Sequence, residues 1–194
     1  MNATRDDALA HPAAIHAPWR DAYMRQLAAA DRAPGAPEGA ATSGCFLSDY
    51  WRAPERDEAN LVVARVGEGA TGGLILLNRY PYANGHLLVA LGEGRGALGD
   101  YAPEQQAAFW ALLTVAAQLA ERALEPQGLN IGINQGSAAG AGVPQHLHGH
   151  VVPRWNGDVN FITVVGQVRV IPSALESMAE RYRAVWRELR RRGS

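Results

Sequence analysis

The stretch Val143-Pro-Gln-His-Leu-His-Gly-His-Val-Val-Pro-Arg154 decides how this chain is read. His146, His148 and His150 are spaced by two, and three of the chain's six histidines fall within those five positions. Side chains alternate faces along a strand, so on a strand the three imidazoles share one side, opposite Leu147, Gly149 and Val151. On a helix, at about 100° per residue, they would scatter over about 200° of arc. Val151-Val152 after the histidines and glycines before them favour a strand over His146–Val152. One such histidine is an ordinary core or surface residue, but three on one face call for another account. Metal binding is one use, because neutral imidazole ligates zinc or copper. Attack and acid–base work at phosphorus is the other.

The preceding segment, Asn134-Gln-Gly-Ser-Ala-Ala-Gly-Ala-Gly142, bears on that choice. Gly136, Gly140 and Gly142 allow the backbone to approach an anion closely, and successive N–H groups can cradle phosphate oxygens. The loop brings no carboxylate or further imidazole to complete a metal site, so it favours phosphate. Histidine suits the nucleophile because its ordinary pKa of about 6.5 leaves a neutral ring available near neutral pH. A second, protonated imidazole can offset charge on the leaving group.

Outward from this segment the chain reads as an α+β protein. Leu61–Val66, Gly73–Asn78 and His86–Leu91 are short apolar runs separated by glycine and Pro-Tyr-Ala-Asn-Gly turn chemistry, and they predict strands. Leu129–Gln135 and Phe161–Val170 add two more. Pro103–Leu124 is the clearest helix: Phe109, Leu112, Leu113, Ala116, Leu119 and Leu124 form one stripe, and Pro126 ends it. A last helix opens at Ser173-Ala-Leu-Glu176, a capping-box pattern, and buries Leu175, Met178, Tyr182, Trp186 and Leu189. Arg187 and Arg190–Arg192 complement its dipole rather than marking a nucleic-acid surface. Before all of this come a polar arm, a short amphipathic helix from Ile15 through Leu27, and a Pro/Gly/Ala linker over residues 33–42. The expected organisation is an arm with linker over residues 1–40, a central domain over 41–172, and a C-terminal helix over 173–194 packed on that domain.

A formal net charge of −1 supplies no field to recruit nucleic acid or an anionic membrane, so phosphate contacts must be local. Cys45 is the only cysteine, which excludes an internal disulfide and a multi-cysteine zinc site and suits a reducing compartment. No apolar run reaches the length expected of a membrane span, and the first residues lack a signal-peptide pattern. Cytoplasmic localisation is the expectation.

His146-Leu-His148-Gly-His150-Val-Val152 resembles the signature of the histidine triad family, His-x-His-x-His followed by two apolar residues. Leu76-Leu-Asn-Arg-Tyr-Pro-Tyr-Ala-Asn-Gly-His-Leu-Leu-Val89 is similar to that family's Asn-bearing strand, turn and Gly-His strand. Leu129-Asn-Ile-Gly-Ile-Asn-Gln-Gly136, Pro153-Arg-Trp-Asn-Gly-Asp-Val-Asn-Phe161 and Ala17-Pro-Trp-Arg20 resemble its bacterial branch of diadenosine tetraphosphate phosphorylases and fragile-histidine-triad hydrolases. The resemblance runs over roughly residues 17–180. It implies an antiparallel sheet of about five strands with helices packed on it, and helical extensions at both ends. It implies His148 as the nucleophile that carries a nucleotidyl group. His146 would orient it and contact phosphates, and His150 would stabilise charge near the leaving oxygen. Asn78 would bind ribose and Gln135 the phosphates, with Gly136, Gly140 and Gly142 beside them and His86 and Asn134 bordering the pocket.

Two departures stand out. Gly142 and Val143 replace the side-chain donors that many relatives carry there, so phosphate contacts would fall to backbone N–H groups. Gly44-Cys45-Phe46-Leu47 stands where many relatives carry a zinc-binding Cys-x-x-Cys pair, so no metal and no cofactor are expected. The implied activity is cleavage of a dinucleoside polyphosphate, with inorganic phosphate favoured slightly over water as second acceptor. A phosphoramidate hydrolase and a slow nucleotide-sensing module are the alternatives. A homodimer is implied by the resemblance alone.

Overall fold

A computed structural model describes residues 45–158 and 171–192. Within them β1 (Val62–Val66), β2 (Gly73–Leu77), β3 (Leu87–Leu91), β4 (Gly128–Ile133) and β5 (Gly149–Arg154) build one sheet. The strand order is β1-β2-β3-β5-β4, and every neighbouring pair is antiparallel. Three helices accompany it: α1 (Phe46–Arg52), α2 (Pro103–Leu124) and α3 (Leu175–Arg192). The α+β reading and the five-stranded sheet hold. The expected arm, its helix from Ile15, the linker over 33–42 and the strand Phe161–Val170 lie outside the described residues.

The sheet is covered on both faces. Val63, Ile75, Leu77, Leu87, Val89, Leu91 and Val151 share a core with Phe109, Leu112, Leu113, Ala116 and Leu119 of α2 and with Met178, Ala179 and Tyr182 of α3. Val62, Leu74, Leu76, Leu88 and Ala90 point the other way and pack with Cys45, Leu47 and Val143. Double coverage is why β2 and β3 are unbroken apolar runs instead of alternating ones. No periodicity or cap announces α1, a helix of seven residues. Arg65 ties it down, donating to the Trp51 carbonyl at 2.8 Å and the Tyr50 carbonyl at 2.5 Å while forking onto Asp57 at 2.8 and 2.7 Å.

Helix α2 has the expected limits. Pro103 occupies its first turn, and Gln105 Oε1 reaches back to accept the Ala102 N–H at 3.1 Å. Glu125 adopts a left-handed φ of 48° to close the helix before Pro126. By length and composition α2 is apolar enough to cross a membrane, contrary to the expectation that no segment is. Its apolar stripe is instead spent on the core, where Phe109, Ala116, Leu119 and Ala120 are fully buried. Helix α3 departs from its expected cap. Met178 N–H donates to the Ala174 carbonyl, which places Ala174 and not Ser173 at the N-cap. Ser173 Oγ accepts a hydrogen bond from Asn84 Nδ2 at 3.4 Å.

Candidate active site

The strand expected over His146–Val152 begins at Gly149, so the alternation argument places only His150 on a strand. His150 pairs with Leu88 across β3 and β5, on the sheet face away from α2. Gly149 faces α2 so closely that a Cβ there would lie 2.8 Å from Leu113 Cδ2. His146 and His148 sit in the bend before the strand. There His146 N–H bonds to the Val143 carbonyl and Leu147 N–H to the Arg95 carbonyl at 2.7 Å.

The three histidines therefore have three distinct settings. The His148 ring lies 5.1 Å from the His150 ring. Its Nδ1 donates to the backbone carbonyl of His146 at 2.9 Å, which leaves the Nε2 lone pair as the nucleophilic site. Burial is the main influence lowering the His148 pKa; the bond to the His146 carbonyl opposes it and the neighbouring His146 adds to it. The ring is accordingly neutral near pH 7.

His146 is fully buried, and both its ring nitrogens serve the protein. Nε2 donates to the Leu91 carbonyl at 2.8 Å. Nδ1 accepts from Cys45 Sγ at 3.0 Å and Ser48 Oγ at 3.2 Å. Its pKa is lowered by burial, partly offset by the Leu91 bond. The ring that was expected to contact phosphate is thus bonded within the protein at both nitrogens, and His146 meets His148 through its main-chain carbonyl.

His150 belongs to a chain of hydrogen bonds with a fixed direction. His86 Nδ1 accepts from the Tyr82 backbone N–H at 3.1 Å and from Asn78 Nδ2 at 3.2 Å. A neutral His86 must then carry its proton on Nε2, which lies 3.0 Å from His150 Nδ1. His150 accepts at Nδ1 and holds its own proton on Nε2. Charge stabilisation near the leaving oxygen, the role expected of His150, would on this bonding direction come from a neutral N–H donor and not from a protonated imidazole.

Asn78, expected at the ribose, spends one end of its amide on His86 and the other on the Tyr80 N–H, accepted by Oδ1 at 2.9 Å. Gln135 Oε1 accepts the Leu98 N–H at 2.9 Å, tying the turn before β5 to the connection between β3 and α2. Gly136 and Gly140 have φ of +81° and +88°, which the tight turn over Ser137–Ala139 requires. The amides of Ala139, Gly140 and Ala141 bond back to carbonyls of Gly136 and Ser137, so they close the turn and are not aimed at an anion. Gly142 lies beyond this turn and is half-buried, as is Asn134. Cys45, Ser48, Tyr82 and Gly94 also lie against the site histidines. Of these the sequence pointed only to Cys45, and Tyr82 stands four residues before His86 in the turn that carries the resemblance.

The HIT domain family model matches residues 71–157, which contain strands β2 to β5 together with His146, His148 and His150. An uncharacterised 16.1 kDa HIT-like protein of Mycoplasma pneumoniae is 32% identical over 107 residues, spanning 54% of this chain and 71% of that protein. The chain belongs to the histidine triad family. A further relative within it, a Mycobacterium tuberculosis protein called AP-4-A phosphorylase, is 39% identical over 132 residues, 67% of this chain. The chain spans 65% of that relative's length. A crystal structure of a zinc-bound histidine triad protein from Mycobacterium smegmatis superposes with a TM-score of 0.59 at 30% identity, covering 76% of this chain and 96% of that one.

The protein from Mycobacterium smegmatis is zinc-bound, and zinc makes its own demands on donors. Cys45 and His146 offer one thiol and one imidazole nitrogen, and their neighbour is the Ser48 hydroxyl. Among the described residues no three His, Cys, Asp or Glu side chains gather as a metal-binding group. A structural zinc site wants four N or S ligands. The described residues of this histidine triad protein do not fit one, and hydrogen bonds hold His146.

Proposed function

We propose that the protein cleaves dinucleoside polyphosphates such as diadenosine tetraphosphate through a nucleotidyl group held on His148, with inorganic phosphate as the favoured second acceptor. The observation that carries this reading is the His148 Nδ1 bond to the His146 carbonyl, which leaves Nε2 as the unprotonated nitrogen that can act as nucleophile. Nε2 attacks the phosphorus nearest one adenosine, forming a P–N bond as the P–O bond to the remaining nucleotide breaks. His150 Nε2–H donates to the oxygen that leaves. An oxygen of inorganic phosphate then attacks the adduct, and the P–N bond breaks to return His148 and release a nucleoside diphosphate. Most of the rate enhancement comes from alignment and from donors aimed at the oxygens, so rigidly held rings suit the reaction. The tuberculosis relative's name as a phosphorylase supports phosphate over water.

Two finer parts belong to the same reading. A homodimer is supported by the outer strand β4, whose Ile131 is 48% exposed, and by Trp110 on α2 at 50%. Among the described residues no strand pairs with the outer side of β4, and such an edge, like exposed apolar groups, favours contact with a second copy. A reducing cytoplasmic setting is supported by Cys45, whose sulfur bonds to His146 as a thiol.

The test is turnover of diadenosine tetraphosphate with and without inorganic phosphate. ADP plus ATP appearing only with phosphate is the expected result, and AMP plus ATP without it would move the reading to hydrolysis. His148→Ala should lose the covalent adduct by intact mass and more than about a thousandfold in rate. An adduct surviving that change would overturn the assignment of the nucleophile.

A further inference from the structure

Tyr82 touches the histidine relay twice. Its backbone N–H donates to His86 Nδ1 at 3.1 Å. Its ring lies 4.7 Å from the His86 ring, tilted by 34°, and stacks over His150 at 5.9 Å and 22°. His86 and His150 lie 5.2 Å apart at 42°, so one aromatic face spans both members of the hydrogen-bonded pair. The backbone beneath is fixed as well. Gly85, with a φ of +74°, precedes His86, and the Tyr182 hydroxyl donates to its carbonyl at 2.7 Å.

The hydrogen bond between two imidazoles does not by itself stop a ring from rotating about it or from exchanging its proton between nitrogens. A ring packed parallel to it removes the rotation, because offset stacking is lost as soon as the imidazole tilts. We infer that Tyr82 is a positioning residue for the nucleotidyl transfer, its amide setting which nitrogen of His86 is protonated and its ring holding His150 with the proton on Nε2 toward the leaving oxygen. Tyr82 makes no bond to the reacting atoms in this scheme and acts through His86 and His150. The inference rests on the transfer chemistry proposed above.

The experiment compares wild type, Tyr82→Ala and Tyr82→Phe in protein carrying isotope-labelled histidine. Nitrogen shifts of His150 in the resting protein report its tautomer, and steady-state kinetics report kcat and KM separately. Wild type and Tyr82→Phe should show His150 protonated at Nε2. Tyr82→Ala should show exchange between tautomers and a kcat lower by roughly ten- to a hundredfold, with KM changed much less. Tyr82→Leu fills similar space without an aromatic face and gives the same readout where the Ala variant is too unstable. An unchanged His150 signature and kcat in the Ala or Leu variant would overturn the inference, as would an equal loss in Tyr82→Phe. The tautomer readout needs no substrate. A wild type that turns over no dinucleotide yet shows this Tyr82 dependence would sink the proposed function and leave the hold on His150 standing.

Discussion

The backbone carbonyl of His146 accepts the Nδ1 proton of His148 at 2.9 Å, so the first histidine of the motif acts on the second through the main chain. The His146 ring is what holds that carbonyl in place. It is clamped between the Leu91 carbonyl on one side and Cys45 with Ser48 on the other. A change that moves the ring therefore moves the nucleophile.

Gly94 offers a direct way to test this coupling. A Cβ at this position would sit 2.6 Å from His146 Nδ1, and a ring bonded at both nitrogens cannot shift without losing a partner. Gly94→Ala is expected to lower kcat by about a hundredfold, the cost of an ångström-scale misplacement. Circular dichroism should show the fold retained, since Gly94 itself is exposed. Activity within twofold of wild type would mean that His146 does not control His148.

The lowered pKa values of His146 and His148 fix the sign of the pH dependence. A histidine whose pKa falls on folding binds its proton more readily in the unfolded chain. Its stabilising contribution is therefore complete above the unfolded value of about 6.5 and declines as pH drops below it toward the folded value. Melting temperature should hold steady between pH 7 and 8 and fall progressively below about pH 6.5. The acid limb of kcat/KM should lie on the same side, because the neutral nucleophile persists below the ordinary histidine range. An acid limb centred above that range would contradict the burial-driven shift.

Tyr182 is fully buried, and burial pushes its phenol far above the ordinary range, so the hydroxyl is a permanent donor. It supplies the Gly85 carbonyl from α3, one residue before His86. Tyr182→Phe leaves that carbonyl without this partner and should destabilise the fold by about 1–3 kcal/mol in denaturant titration. A Cβ on Gly85 would meet the same hydroxyl at 2.8 Å and Leu124 Cδ1 more closely still. Gly85→Ala should therefore be the more damaging of the two.

The donor set around His146 predicts the response to chelators. With one thiol, one imidazole and one hydroxyl at the cluster, zinc should be well below one equivalent in purified protein by elemental analysis. Prolonged treatment with EDTA should leave melting temperature and turnover unchanged. A stoichiometric metal whose removal unfolds the protein would show that hydrogen bonding does not hold this cluster.

Much of the molecule could be read in the chain because local chemistry decided it. Pro103, the apolar stripe and Pro126 set the limits of α2, and the apolar runs flanked by glycine located β1, β2 and β3 within a residue or so. The spacing of the triad and its flanking segments placed the chain in its family. What the chain alone could not give was the direction of each side chain in the bend before β5. Strand alternation carries His150, but His146 turns instead to a carbonyl fifty-five positions away and to a thiol one hundred and one positions away. Likewise Gly136 and Gly140 supply the positive φ of a closed turn, where the sequence suggested a phosphate cradle. Residue types and periodicity determined which elements form and marked the three imidazoles as the candidate chemistry. Tertiary structure decided which nitrogen each imidazole presents, because a ring's tautomer depends on the donors and acceptors that folding brings to its two sides.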